Sequence, residues 1–283
     1  MDEVHPQRSA DTEAERVFGI EKFDWERRVV VQRCVPQVLD DNGALPSGAL
    51  CLLIDHTVGS TISTHLEHHE RMVTSHMHIE FLHPLRPGLE ALVGQCTALD
   101  LVPGSAFASG TASTPGGLLI ARFSARFALF SSGEQGGGVV NDAVPVEQPL
   151  SAPAPHEWTT SPVHQILGTE VLQVADGRVR LTMRATRELS NERDGVHGGA
   201  GGVMGDRAGE LALRTLAGPN HTYRPAETRV LFVRPIAASG AAINVDAEVT
   251  FFGRTTATTT ARVWRPDGKL AIQVDAVHLQ QLG

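Results

Sequence analysis

The sequence predicts an α+β protein built from two tandem copies of one unit, each an antiparallel sheet wrapped around a long helix. Three observations predict this class. The two halves of the chain align with each other. Each half has a glycine-containing turn that leads into a helix rich in small and apolar residues. Segments with alternating apolar and polar residues, typical of strands, follow each helix. A length of 283 residues suits two domains of common size.

The internal repeat defines the domains. A shift of 206 − 55 = 151 positions places Asp55 on Asp206 and aligns further identities without a gap. Among these pairs are Gly48 with Gly199, Phe81 with Phe232, Pro84 with Pro235 and Leu119 with Leu270. A stretch that is Gly-rich and then Pro-rich separates the copies and is typical of a linker. The sequence therefore predicts domains at residues 15–135 and 156–283, joined by a linker at residues 136–155.

Both copies have the same predicted order of elements. In copy two, an extended stretch (GRVRLTMRAT) precedes the helix GAGGVMGDRAGELALRTL, and the strands ETRVLFVRP, AAINVDAEVTFF, TTATTTARVW and KLAIQVDAVHL follow. Copy one has the helix GALCLLIDHTVGSTISTHL and the strands TSHMHIEFLHP, EALVGQCTALDLV and LLIARFSARFALF. The turns TPGG and RPDG are expected to join the last two strands of each copy as a hairpin.

Composition limits the partners and the compartment. The formal net charge of −8 argues against general binding to nucleic acids or to anionic membranes, which would need a basic surface. Three cysteines without a CxxC pair favour a reducing compartment. The first residues are polar and acidic, unlike a secretion signal, and no run approaches the roughly 18 apolar residues of a membrane span. We therefore expect a cytoplasmic protein without a nucleic-acid or membrane partner.

One stretch of copy two carries a family resemblance. The segment NERDGVHGGAGGVMGD has HGG at the helix start and an Asp nine residues after the His, and FVRP closes the next strand. This arrangement resembles hot-dog-fold acyl-CoA thioesterases of the phenylacetate-pathway type, closely in copy two and more loosely in copy one. The resemblance implies hydrolysis of an acyl-CoA to a free acid and coenzyme A, with no cofactor beyond the coenzyme A of the substrate. The family's usual unit is a homodimer, so the tandem chain would be a covalent pseudo-dimer, and two chains are expected to pair further as a homodimer.

The residues of this segment suit the chemistry of a thioester. Backbone N–H groups at a helix N-terminus are unpaired and can hold an oxygen that gains negative charge. Gly198 is placed to offer such an N–H, with His197 and Asn191 positioning the loop or the carbonyl. Asp55 and Asp206 lie within apolar helices and can act as nucleophile or as base for water. Two plainer interpretations stay open: glycines that serve helix packing, and aspartates favoured by the helix dipole or by a hydrogen bond at an interface.

The family resemblance implies that each site crosses the interface between the copies. One site would combine Asn191, His197 and Gly198 with Asp55 and Thr74 of copy one, Thr74 being a hydroxyl that orients water. The second site would be degenerate, because Asp206 would face copy-one positions that have lost the machinery. Its members would be Asp206, Asp40, Pro46 and Ser47, with Pro225 in place of Thr74. We therefore expect one working site per chain, with Asp55 as its carboxylate.

Two further groups of residues are candidates for binding the phosphates of coenzyme A or a metal ion. Arg254, in a turn between strands, is a candidate contact for the phosphates of coenzyme A, although a solvated surface arginine explains it equally well. Seven histidines crowd copy one, and His65 with His69 have helical i, i+4 spacing. No cysteine or paired carboxylate completes a metal-ligand pattern, so we expect no metal. His56 is expected to point away from Asp55, since adjacent helical residues do not share a face.

Two rival functions follow from the same fold. Hot-dog hydratases and dehydratases pair an Asp with a His a few residues later in a loop before the helix, and neither copy has that arrangement. An acyl-CoA-binding or regulatory module would keep the pocket and lose turnover. The complete Asn-His-Gly and Asp set argues against such a module, whereas the degeneration of the second site shows that loss of machinery occurs in this chain.

Overall fold

In this computed structural model, the described residues form one antiparallel sheet of eleven strands that packs against two long buried helices. The structure describes residues 12–21, 23–67, 69–131, 156–217 and 222–281. The predicted linker at residues 136–155 lies outside the described residues, so the domain boundaries stay a prediction.

The first copy contains two helices and five strands. Its elements are α1 (Glu13–Val17), β1 (Val29–Arg33), α2 (Leu50–Ser63), β2 (Glu70–Phe81), β3 (Ala91–Val102), β4 (Ser105–Ser113) and β5 (Leu119–Ser131). Short 3₁₀ turns lie at Pro36–Val38 and, directly before α2, at Ser47–Ala49.

The second copy repeats this order and adds one strand. Its elements are α3 (Pro162–Leu167), β6 (Glu170–Ala175), β7 (Arg178–Arg184), α4 (Gly198–Arg214), β8 (Tyr223–Phe232), β9 (Ala242–Phe252), β10 (Thr256–Trp264) and β11 (Leu270–Gln280). Its 3₁₀ turns are His156–Thr159 and Arg187–Leu189.

The sheet runs without a break through both copies. Its strand order is β1-β3-β4-β5-β2-β8-β11-β10-β9-β7-β6, and β2 pairs with β8 from His76 opposite Leu231 to Glu80 opposite Glu227. The inward-facing residues of the strands pack against the helices, as the alternating burial along β4 and along most of β10 shows. The predicted α+β class is therefore confirmed, with the two units joined edge to edge.

The structure corrects some of the predicted elements. Strands β4 and β6 were missed: β4 consists mostly of Ala, Ser and Gly, which have low strand propensity, and it forms because β3 and β5 pair with it on both sides. The predicted hairpin turns at residues 114–118 and 265–269 are confirmed as the links between β4 and β5 and between β10 and β11.

Glycines bring the two central helices into contact near their N-termini. A Cβ added to Gly199 would lie 2.5 Å from Cα of Leu52, and one added to Gly48 would lie 2.9 Å from Cα of Val203. The backbones of α2 and α4 therefore touch. This crossing places the start of each helix beside the aspartate of the other, which is the geometry that a crossed site needs.

Two other glycines of α4 allow close packing against strand β11 of the sheet. A Cβ on Gly201 would lie 2.0 Å from Cδ1 of Ile272, and one on Gly205 would lie 2.3 Å from Cγ2 of Val274. Gly202 instead faces the other helix, because a Cβ there would lie 2.7 Å from Sγ of Cys51 in α2. Helix packing therefore explains Gly202, and packing against the sheet explains Gly201 and Gly205. Among the described residues, no helix is long and apolar enough to cross a membrane.

Candidate active site

A cavity of about 370 Å³ lies where the two copies meet. Its wall contains all five residues that the sequence assigned to the crossed site: Asp55, Thr74, Asn191, His197 and Gly198. They come from α2, β2, the loop before α4 and the start of α4. The structure thus brings together residues that are more than a hundred positions apart in the chain.

Asp55 is held by a hydroxyl from the neighbouring strand. Thr74 Oγ1 donates a hydrogen bond of 2.7 Å to Asp55 Oδ1. Strand β2 is irregular here, since the pairing with β5 shifts between Thr74 and His76. Strand β8 has the matching shift in the opposite copy, where Pro225 pairs with His278. A bulge redirects nearby side chains, and its repetition aligns Thr74 with Pro225 structurally.

The start of α4 faces this carboxylate. His197 is the N-cap, and its Nδ1 accepts a hydrogen bond of 3.1 Å from the Gly199 N–H. Among the described residues no acceptor is recorded for the Gly198 N–H, which belongs to the unpaired first turn of the helix. A Cβ on Gly198 would lie 3.3 Å from Asp55 Oδ2, so glycine leaves open the space between the helix and the carboxylate.

Asn191 shapes the loop that leads to this helix. Its Oδ1 accepts hydrogen bonds from the backbone N–H groups of Arg193, at 2.9 Å, and Gly195, at 3.0 Å. Asp40 builds the same turn in the other copy, with 2.9 Å bonds from Asn42 N and Ala44 N. The change from Asn to Asp therefore preserves the loop, and the side-chain oxygen at this position is used by the fold.

A buried network behind the helix start was not predicted. Glu15 of α1 is only 5% exposed, lines the cavity and lies against two imidazoles. Its Oε1 is 2.6 Å from His56 Nδ1 and 3.6 Å from His197 Nε2. His56 indeed does not bond to Asp55, but it lines the same cavity. The capping box of Thr12 and Glu15 was the available sequence signal, yet such a box indicates only a helix start.

These contacts set the ionisation of the site. Burial raises the pKa of Asp55 above its ordinary value, and the charge of His197 with the Thr74 hydrogen bond only partly offsets it. Burial also opposes ionisation of Glu15, but His197 and His56 outweigh it and hold the Glu15 pKa well below its usual range. For His197, burial favours the neutral ring, yet Glu15 and Asp55 raise its pKa. The site therefore holds an ionised Glu15 beside a basic imidazole.

The second predicted site has a different structure around its aspartate. Ser47, the counterpart of Gly198, donates a 2.5 Å hydrogen bond from Oγ to Asp206 Oδ1. Arg207, the counterpart of His56, donates from Nη2 at 2.8 Å and from Nε at 3.1 Å to Asp206 Oδ2. Both oxygens of Asp206 are thus occupied. The side chains of Asp206 and Arg207 are each only 6% exposed.

Arg207 gives this cluster its balance of charge. It also contacts Glu210, and these two acidic partners raise its pKa even though burial opposes its charge. Asp40 adds a further negative charge that acts on Arg207. The buried guanidinium of Arg207 therefore offsets negative charge beside Asp206. Because both oxygens of Asp206 already accept hydrogen bonds, from Ser47 and from Arg207, neither is free to act on a substrate.

The remaining candidates lie elsewhere. Arg254 is exposed in the turn between β9 and β10 and does not line the cavity. Of the crowded histidines, His78 pairs with Glu227 at 3.1 Å and His65 bonds within its own turn. Within the described ranges, no three His, Cys, Asp or Glu side chains converge as a metal site would require.

Both copies contain a segment that matches one protein-family model. The Thioesterase superfamily model matches residues 42–100 and 195–272, one segment in each half. Over these two segments the chain is similar to the thioesterase superfamily. Each matched segment includes the central helix and the aspartate of its copy. No curated protein matches the sequence.

Solved structures show the same tandem fold over nearly the whole chain. An acyl-CoA thioesterase II from Mycobacterium marinum has a TM-score of 0.66 at 14% identity, covering 95% of this chain and 98% of that one. A thioesterase candidate from Novosphingobium aromaticivorans has a TM-score of 0.70 at 16% identity, with coverage of 93% and 99%. A hot-dog protein of unknown function from Alicyclobacillus acidocaldarius scores 0.62 at 14% identity, with coverage of 95% and 98%. The fold is a double hot dog.

Proposed function

We propose that this chain is an acyl-CoA thioesterase with one working site, formed by Asp55 and Thr74 of copy one and by Asn191, His197 and Gly198 of copy two. One observation carries the proposal: the Gly198 N–H at the start of α4, unpaired among the described residues, and the Asp55 carboxylate lie side by side in one cavity, and the missing side chain of Gly198 leaves space between them. The match to the Thioesterase superfamily model and the tandem fold support thioester hydrolysis.

The chemistry assigns each group a step. The Gly198 N–H donates to the thioester oxygen, and the helix dipole stabilises the negative charge that develops there. Asp55 attacks the carbonyl carbon or takes a proton from the attacking water, and the Thr74 hydroxyl orients the carboxylate. If Asp55 acts as a base, the hydroxide of water adds to the carbonyl carbon, the C–S bond breaks to give the free acid, and the coenzyme A thiolate takes up the proton held by Asp55. If Asp55 attacks, the C–S bond breaks to give an acyl–Asp55 anhydride; water then hydrolyses the anhydride to the free acid and regenerates Asp55, and a proton of that water goes to the thiolate.

Glycine lets the acyl group extend along α2. Gly59 lies one helical turn beyond Asp55 on the same face, and a Cβ there would be 3.6 Å from Met72 and 3.9 Å from Phe127. All three residues line the cavity. An acyl chain or ring placed along this wall has its thioester carbon beside Asp55.

The first test is release of thiol from acyl-CoA substrates. We expect hydrolysis of at least one class in a panel of short, long and aromatic acyl-CoAs, followed by reaction of the released thiol with a chromogenic reagent. The Asp55→Asn variant serves as the control for release that is not enzymatic. Tight binding of an acyl-CoA by calorimetry, with no thiol released across the panel, would instead identify a binding module.

The acidic limb of the rate profile reports on Asp55. Because burial raises its pKa, we expect kcat/KM to fall as the pH drops through a value above the roughly 3.9 of an ordinary aspartate. The measurement is kcat/KM across the acidic range, with Asp206→Asn as the comparison, since that change leaves the Asp55 environment intact. A limb at the ordinary aspartate value would contradict the assignment of Asp55.

A further inference from the structure

We propose that Glu15 is a positioning residue of this site: it orients His197, which in turn fixes the first turn of α4 and presents the Gly198 N–H to the substrate. This inference rests on the proposed function. It adds a residue from α1, far in sequence from the helix that Glu15 supports.

Both carboxylate oxygens of Glu15 have partners. Oε2 accepts the N–H of Thr12 at 3.1 Å, and Oε1 faces His56 Nδ1 at 2.6 Å and His197 Nε2 at 3.6 Å. Within the part of the chain that the structure describes, His56 Nε2 is buried and has no partner. Because a carboxylate can only accept, His56 Nδ1 donates the hydrogen bond to Glu15 Oε1.

The orientation of His197 follows from its contacts. Its Nδ1 accepts the Gly199 N–H at 3.1 Å and lies 3.5 Å from Asp55 Oδ2, while Nε2 faces Glu15 Oε1 at 3.6 Å. In the neutral ring, the bond from Gly199 places the proton on Nε2, toward Glu15. Without the Glu15 carboxylate, the ring could rotate or exchange tautomers and release Gly199. The direction of the first N–H groups of α4 would then no longer be fixed, and an error of about 1 Å at a reacting group can cost on the order of a hundredfold in rate.

The second copy shows what the fold does without this carboxylate. The backbone bond of Ala14 N to Ser190 O in one copy matches the bond of Val163 N to Leu39 O in the other. This match, one residue before Glu15, makes His164 its counterpart. His164 instead contacts Thr169, at 3.1 Å. The carboxylate of Glu15 is thus present beside the Asp55 site, and a histidine replaces it beside the Asp206 site.

The test compares Glu15→Gln with Thr12→Ala in the full chain. Glu15→Gln keeps the shape of the side chain and removes its charge, whereas Thr12→Ala breaks the capping box and leaves the carboxylate with both histidines. We expect Glu15→Gln to lower kcat by roughly a hundredfold with little change in KM, and Thr12→Ala to stay within a few-fold of wild type. Equal losses in both variants would mean that Glu15 only caps α1, and so would overturn the proposal.

A second readout does not depend on turnover. The charged groups that face His197 are Glu15 on α1, Asp55 on α2 and Glu192 in the preceding loop. NMR titration of the His197 ring, assigned with a His197→Gln variant, should move to lower pH in Glu15→Gln and stay unchanged in Thr12→Ala. An unchanged titration in Glu15→Gln would contradict the coupling. Absence of thiol release by wild type would instead refute the proposed function and leave this titration interpretable.

Discussion

Gly198→Ser is expected to reduce turnover by a factor of a hundred to a thousand, the range found on loss of an oxyanion donor, while the chain stays folded. The opposite copy already contains the result of this change. There Ser47 occupies the equivalent position, at the start of the opposite helix, and its hydroxyl bonds to Asp206. A serine hydroxyl at position 198 would bond to Asp55 in the same way and fill the space that the thioester oxygen needs.

The matched control is Ser47→Gly, the reverse change in the second site. It removes one hydrogen bond to Asp206 and leaves Arg207 in place, so we expect turnover close to wild type. Thermal unfolding followed by circular dichroism checks that both variants are folded. Wild-type turnover in a folded Gly198→Ser variant would show that the space beside this helix start is not where the substrate reacts.

Asp55→Asn and Asp206→Asn are expected to change stability in opposite directions. Asp206 neutralises the buried Arg207, and removing one partner of a buried ion pair typically costs about 3 kcal/mol or more. At roughly 2–4 °C per kcal/mol, unfolding of Asp206→Asn should begin several degrees lower. Calorimetric unfolding of the two variants beside wild type measures both effects.

Asp55 has the opposite energetic role. Its folded-state pKa is raised above its unfolded value, so its ionised form costs stability at neutral pH, and that cost disappears as the pH falls below the folded pKa. We therefore expect Asp55→Asn to be as stable as wild type or slightly more stable. A large loss of stability in Asp55→Asn would indicate that Asp55 is a structural residue.

Much of this fold could be predicted from the sequence because it appears twice. The repeat fixed the position of each central helix, and alternating residues marked most strands. Strand β4 was missed because its Ala, Ser and Gly residues carry little strand propensity, and its neighbours rather than its composition make it a strand.

The crossed pairing of the site residues could be predicted because a family resemblance supplied it. Glu15 and Arg207 could not be found in the same way. Glu15 lies 41 positions from His56, its closest partner, and its role depends on how α1 packs against the other copy. Arg207 resembles any helical arginine until burial places it against Asp206. Long-range packing, which local pattern does not encode, determines both.

The central claim is that one crossed site does the chemistry and that Asp55 is its carboxylate. The most direct measurement is thiol release by Asp55→Asn and Asp206→Asn with the same acyl-CoA and under the same conditions. We predict that Asp55→Asn loses turnover by a factor of at least about a hundred, while folded Asp206→Asn retains activity near that of wild type. Unchanged turnover in Asp55→Asn together with lost turnover in Asp206→Asn would contradict it.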